Sequence, residues 1–353
     1  MKSKKFFRQF TALLIYFLLC TMIFCTIDQK NNKAVYDAYD LRMNGKAEVA
    51  HAMLDSILTA DPSNALAKYE LARTLLHYLP MEKMGVNRFE FIDTLLIITE
   101  SAMEMDPENT LFYPFANVIY DFKTWFSQDS LETLKYQQKK YEIFEKELEL
   151  NPDDPELLLS KLEWYVTEPE LTNSNATILE ELTKKIEASD EVMGVKARSM
   201  VEEKQVTVDR CLELTEKYPD NATAEDLSGM AYLNSGETLK AFECINKSIK
   251  LDPEMGAQVP WMMRYLVFSA GQEQVSEIDY DLIAEELAGT YFESQPPNPM
   301  KAFVIACQAR IKEITGDQEK SDELWKEAMA LDPYTPEYPL DPALELFTPL
   351  AEK

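Results

Sequence analysis

Histidine is almost missing from this chain, with two in 353 residues, His51 and His77. Neither has neighbours that spell a zinc motif or a catalytic triad, so mechanisms that need an imidazole have little to work with. Glycine is also scarce, at 9 residues, and the closest pair is Gly229 and Gly236. That spacing spells neither GxGxxG nor GxxxxGK[ST], so nucleotide folds built on glycine-rich phosphate loops are excluded. Beyond the first 27 residues only Cys211, Cys244 and Cys307 remain. An odd number at such wide spacing is not a disulfide framework, and the absence of CxxC or a His/Cys cluster argues against a bound metal. Each of the three sits in a helical pattern and reads as a small buried hydrophobe. Basic residues number 35 against 62 acidic, a net charge of -27. A polyanion would be repelled, and no nucleic-acid partner is expected. No cofactor is implied.

What is present begins with a membrane-type signal. Lys2, Lys4, Lys5 and Arg8 precede an uncharged run from Phe10 to Ile27, which ends at Asp28. A span needs about 20 apolar residues and a signal-peptide core about 7–15. The run is long for a cleaved signal, no A-x-A site follows it, and Cys20 and Cys25 lack the small residue that lipidation requires before them. Residues 1–27 therefore read as a retained signal-anchor, with a cleaved or lipidated signal as the alternative. The basic flank would keep the start of the chain in the cytoplasm and send residues 28–353 outside, in a bacterial envelope. The NxS/T sequences at Asn175, Asn221 and Asn246 are discounted as glycan acceptors on the same grounds.

The rest of the chain repeats. Six prolines close helical runs in one context: Asp61-Pro62, Asp106-Pro107, Asn151-Pro152, Tyr218-Pro219, Asp252-Pro253 and Asp332-Pro333. Their intervals are 45, 45, 67, 34 and 80, one period of 34, one near its double, and two that read as 34 with an insertion. Asn64, Asn109, Asp154 and Asn221 follow four of them by two residues. Proline cannot continue the first helix, and the short amide or acid caps the next. A second ruler agrees. Gly45, Gly236 and Gly316 each lie 17 residues before one of these prolines, Pro62, Pro253 and Pro333, where a turn between two helices calls for positive φ.

In Ala222–Pro253, Gly229, Tyr232, Ala241, Ile245 and Pro253 fall at the places of the pattern G-x2-Y, A-x3-F, P. The chain resembles the tetratricopeptide-repeat family on these residues, although Glu225 and Ser228 stand where that pattern has Trp and Leu. Ala38, Gly45, Ala50, Leu54 and Pro62 keep the same frame in the first unit. Ala309, Ser321, Trp325, Ala328 and Pro333 keep it in the last. The clearest repeats are 31–64, 222–255 and 302–335, with degenerate ones over 65–221 and 256–299. Segments such as ALAKYELARTLLHYL and LETLKYQQKKYEIFEKELEL carry apolar residues at helical spacing, and no sustained alternation marks a strand. The expected fold is all-α, an α-solenoid of antiparallel helix pairs. Met81–Asn87 and Thr172–Thr177 read as insertions between helices, the proline cluster at 295–299 as a break, and ALELFTPLAEK as a capping helix for the last unit.

The resemblance implies a concave groove lined by the first helix of each pair. Its places hold Asn32, Val35, Tyr39 and Arg42, then Thr223, Asp226, Met230 and Leu233, then Phe303, Ala306, Arg310 and Glu313. Of these, Tyr39, Arg42, Asp226, Met230, Leu233, Phe303, Arg310 and Glu313 are the expected contacts. The recurring Lys and Asn with which some family members clamp a peptide carboxylate do not recur. The four tryptophans and the other aromatics fall at helical spacing and read first as core. The expected function is a non-catalytic, membrane-anchored scaffold that binds a protein or peptide. Two alternatives stand beside it, an envelope receptor for a small molecule or glycan and the regulatory subunit of an enzyme complex. A glycan receptor requires Trp and Tyr exposed on one groove.

Overall fold

The structure is a computed structural model that describes residues 32–78, 88–127, 129–202, 208–272, 278–334 and 350. The described residues contain no strand. The helices run α1 (32–43), α2 (Ala47–Ala60), α3 (Ala65–Tyr78), α4 (Arg88–Met105), α5 (Phe112–Phe126), α6 (Ser130–Leu150), α7 (Pro155–Thr167), α8 (Pro169–Thr172) and α9 (Ala176–Ser189). They continue with α10 (Glu191–Val201), α11 (Val208–Lys217), α12 (Ala222–Asn234), α13 (Thr238–Leu251), a 3-10 turn over Pro253–Gln258, α14 (Val259–Gln272), α15 (Tyr280–Glu293), α16 (Asn298–Thr315) and α17 (Gln318–Leu331). The chain divides into two compact units. Unit 1 holds 1–112 and 349–353, and unit 2 holds 113–348.

Both rulers read from the sequence have a physical counterpart. Gly45, Gly236 and Gly316 are the three described glycines with positive φ, at 73°, 81° and 93°. They turn α1 into α2, α12 into α13 and α16 into α17. Three of the four Asn and Asp that follow the prolines are N-caps: Asn64 accepts from the Ala67 amide at 2.8 Å, Asp154 from Glu156 and Leu157, and Asn221 from Ala224 at 2.8 Å, whereas Asn109 lies in the turn before α5. Each cap satisfies amides that the first turn of a helix leaves open. Residues 294–297 separate α15 from α16, so 298 and 299 of the expected break open α16 instead, and 173–175 join α8 to α9, with Thr172 and 176–177 of the expected insertion helical. The segment 81–87 and, apart from Leu350, the tail from 343 to 353 lie outside the described residues.

Packing is local. In unit 1, α2 meets α3 and α3 meets α4. In unit 2, α12 packs on α13, α14 on α16, and α16 on α17. One cluster joins Phe144 and Leu148 of α6 to Leu158, Leu159 and Leu162 of α7, Ile186 of α9 and Ala197 of α10. The next joins Val192 of α10 to Cys211 and Leu214 of α11 and Ala224, Leu227 and Ala231 of α12. Each cluster thus draws on a few consecutive helices, the arrangement of a repeat fold. The places of the repeat pattern are its core: Ala38, Ala50, Leu54, Ala241, Ile245, Ala309, Ser321 and Ala328 are completely buried. Gly229 marks the closest approach. A Cβ there would lie 2.7 Å from Cγ1 of Ile245 and 3.1 Å from the Ala241 carbonyl oxygen. The fold is all-helical and tetratricopeptide-like in register.

The single-pass localisation and the transmembrane helix expected from the sequence do not stand. No helix among the described residues is long and apolar enough to cross a membrane. Residues 1–27, on which that expectation rested, lie outside the described residues.

The two kinds of glycine should separate in a stability measurement. Gly229→Ala forces a Cβ into the helix–helix contact and is expected to cost about 1–3 kcal/mol. Gly236→Ala meets no atom within 4 Å but keeps φ at +81°, for a cost of about 1 kcal/mol. Urea midpoints of the two variants, with equal m-values, check the order.

Candidate functional site

The places expected on α12 have counterparts on α14. Ala224, Ser228 and Ala231 of α12 are buried, and so are Val259, Met263 and Leu266, each 35 residues later. The same offset carries Thr223, Asp226, Met230 and Leu233 onto Gln258, Trp261, Tyr265 and Phe268. Trp261 is 51% exposed, Tyr265 39% and Phe268 66%. Their spacing of four and three residues puts three aromatic rings on one side of α14. Tyr265 is backed by the buried Phe242 of α13, with ring centroids 6.5 Å apart.

The expected contacts divide into open and closed ones. Met230 is exposed and Leu233 half-buried, on α12. Asp226 is half-buried beside Gln258, and burial raises its carboxyl pKa, against the opposing pull of Gln258 and Lys196. On α16, Glu313 and Arg310 are exposed, and the Arg310 guanidinium lies 5.3 Å from the centre of the Trp325 ring. Phe303, at the start of α16, is buried, as is Ala306. The sequence reading missed the α14 aromatics. The offset of 35 was the available signal, obscured because α14 carries no Gly or Tyr at the landmark places.

In unit 1 the expected contact Arg42 is closed and Tyr39 is half-buried. Arg42 of α1 is completely buried and pairs with Glu70 of α3, Nε to Oε1 at 2.6 Å and Nη2 to Oε2 at 3.3 Å. Arg73, also completely buried, reaches Glu70 Oε2 at 3.2 Å. The guanidiniums lie against tyrosines, Arg42 5.6 Å and Arg73 5.7 Å from the ring centre of the half-buried Tyr39, and Arg73 5.0 Å from that of Tyr69. Burial lowers the pKa of Arg73, and Glu70 opposes that shift. Two cations share one carboxylate away from water.

Nucleophilic chemistry finds little here. Burial pushes the Cys307 thiol up to about 12 and the Cys244 thiol up to about 11, and raises Cys211 as well. A thiol so shifted is not a thiolate at neutral pH. His77 is buried, and His51 pairs with Asp55 at 3.4 Å on an open face of α2. Among the described residues no group of three or more His, Cys, Asp or Glu is arranged to hold a metal. A polar hollow of about 510 Å³ in unit 1, lined by Tyr36, Asp61, Ser63, Asn64, Asp106 and Asn109 among others, is formed by the capping turns themselves.

No family model matches the sequence, and no curated protein matches it. Solved structures similar to it include a tetratricopeptide-repeat protein from Parabacteroides merdae, 16% identical over 85% of this chain and 99% of its own, with a TM-score of 0.40. Yeast Tom70 is 14% identical over 84% of this chain and 57% of its own, with a TM-score of 0.43. A thermophilic tetratricopeptide-repeat protein of Thermus thermophilus is 16% identical over 63% of this chain and 92% of its own, with a TM-score of 0.37. The tetratricopeptide-like reading of the fold rests on the register of turns, caps and buried places.

Removing the shared carboxylate should be severe. Glu70→Gln leaves both buried guanidiniums without this counter-charge, and about 3–5 kcal/mol of stability is expected to go with it. Chemical denaturation followed by tyrosine near-ultraviolet dichroism measures the loss. A cost below about 1 kcal/mol would mean the cluster is solvated.

Proposed function

We propose that this chain is a non-catalytic helical-repeat scaffold that holds a segment of another protein against the groove side of unit 2. The observation that carries this reading is the row Trp261, Tyr265 and Phe268, exposed at the groove places of α14. Large aromatic side chains left open to water, with Met230 and Leu233 at the equivalent places of α12, are the usual anchors of a protein interface. Charge narrows the partner. Between residues 222 and 334 there are twenty acidic side chains and nine basic ones. An apolar segment flanked by lysine and arginine suits such a surface, gaining attraction at long range and apolar burial at contact.

The same aromatics favour a second reading, a receptor for a glycan or other small molecule. What weighs against it is shape. A small ligand needs most of its surface enclosed. The three rings stand on an open helix face, and the described hollows are lined by other residues, as in the small one of Asp281, Glu285, Gln308 and Lys312.

Peptide display on the purified chain tests the proposal. Selected sequences are expected to combine aromatic or aliphatic residues with a net positive charge. The double variant Trp261→Ser/Phe268→Ser should lose about tenfold or more in affinity for them. Its unfolding midpoint should hardly move, since both side chains are largely in solvent. Selected peptides that bind wild type and variant alike would refute the assignment. A glycan array signal abolished by the same variant would favour the second reading.

A further inference from the structure

A charge taken out of water needs a partner, and unit 2 holds a carboxylate without one. Asp226 of α12 is half-buried beside Gln258, the residue before α14. Its Oδ1 and the Nε2 of Gln258 are closed to water, and neither has a hydrogen-bond partner among the described residues. Burial raises the carboxyl pKa, and the weaker pulls of Gln258 and Lys196 do not offset it. Among the described residues no cation forms an ion pair with Asp226. Glu70 and Glu225, both buried, show the usual remedy: Arg42 and Arg73 serve the first and Lys247 the second. Around Arg73 the remedy combines a carboxylate with an aromatic face, Glu70 at 3.2 Å and the Tyr69 ring centre at 5.0 Å.

We infer that Asp226 is the specificity-determining residue of the unit 2 groove, a socket that takes an arginine of the partner segment. The setting supplies what a guanidinium binds. One turn beyond Asp226, on the same side of α12, stands the exposed Met230. One turn beyond Gln258, on α14, stands the exposed Trp261, followed by Tyr265 and Phe268. The unpaired oxygen thus lies at the head of the aromatic row. A guanidinium donates edgewise to a carboxylate while its face rests on a ring, and it sheds water at less cost than an ammonium. Lysine supplies the charge without the planar fork. Helical rise sets the spacing. At about 1.5 Å per residue, Trp261 lies about 4.5 Å and Phe268 about 15 Å along the axis from Gln258. An extended segment, at about 3.3 Å per residue, covers those distances in about one to two and about four to five residues. The inference rests on this groove being the binding face, and it names the residue type that the face selects and where that residue falls.

Random peptides displayed against the full chain are the probe. The best binders are resynthesised with arginine replaced by lysine or by citrulline, its neutral isostere. Selected sequences should carry an arginine within about two residues of the first aromatic or aliphatic anchor. Citrulline should weaken binding to the wild type about tenfold, and so should Asp226→Asn with the arginine peptide, the factor of one charged hydrogen bond. On Asp226→Asn the arginine and citrulline peptides should bind within about twofold of each other. The urea midpoint of Asp226→Asn should hold or rise, because the buried charge has no partner in the free chain. A lower midpoint, selected peptides without such an arginine, lysine and arginine peptides of equal affinity, or a preference for arginine over citrulline that survives in Asp226→Asn would each overturn the inference. If Trp261→Ser/Phe268→Ser abolishes binding while Asp226→Asn leaves it unchanged, the groove stands as the binding face and this inference alone falls. If no peptide is selected, or the selected peptides ignore both variants, both fall.

Discussion

The fold depends on how closely two helices of a pair approach. A lone helix cannot bury its apolar face, and a stack of pairs does so only if the axes come near enough to exclude water. Here the approach is set by small residues at fixed places. Gly229 leaves no room for a methyl group against Ile245 and the Ala241 carbonyl, and alanines or serine hold the equivalent contacts in the first and last pairs. Once these are in contact, the position of every other side chain follows from helical geometry. The capping asparagines and aspartates then fix where α3, α6, α7, α9, α10, α12, α15 and α17 start.

Much of this was legible in the sequence, because turns and caps are local. The prolines, the capping residues and the three glycines report chemistry that each residue carries with it. The same local logic failed in two places. The 3-10 turn over Pro253–Gln258 lengthens one period from 34 to 35 and delivers α14 without a Gly or Tyr landmark. The aromatic row was therefore read as core, although the offset from α12 would have revealed it. Arg42 and Phe303 illustrate the other limit. Periodicity tells which side of a helix a residue occupies, but not what lies above that side. Both residues hold groove places by count, and both are buried.

The buried charges show how far neighbouring units can differ while sharing one frame. In unit 1 the groove places join a carboxylate and two guanidiniums between tyrosine rings, an arrangement stable only when desolvation is repaid by close geometry. On α14 of unit 2 the equivalent places are aromatic and open. A repeat architecture permits this divergence because the residues that hold a pair together and the residues that line its groove are separate sets.

The junction of α9 and α10 has a mechanical consequence. Asp190 alone connects them: its amide donates to the Ile186 carbonyl to close one helix, and its carboxylate accepts from the Met193 amide at 2.9 Å to open the next. Gly194 lies so near Glu187 that a Cβ would sit 2.8 Å from that residue's Cα. With one residue as the hinge and no space beside it, the elbow has no slack. The two helices must move as a single lever, and bending within unit 2 has to be taken up at other joints.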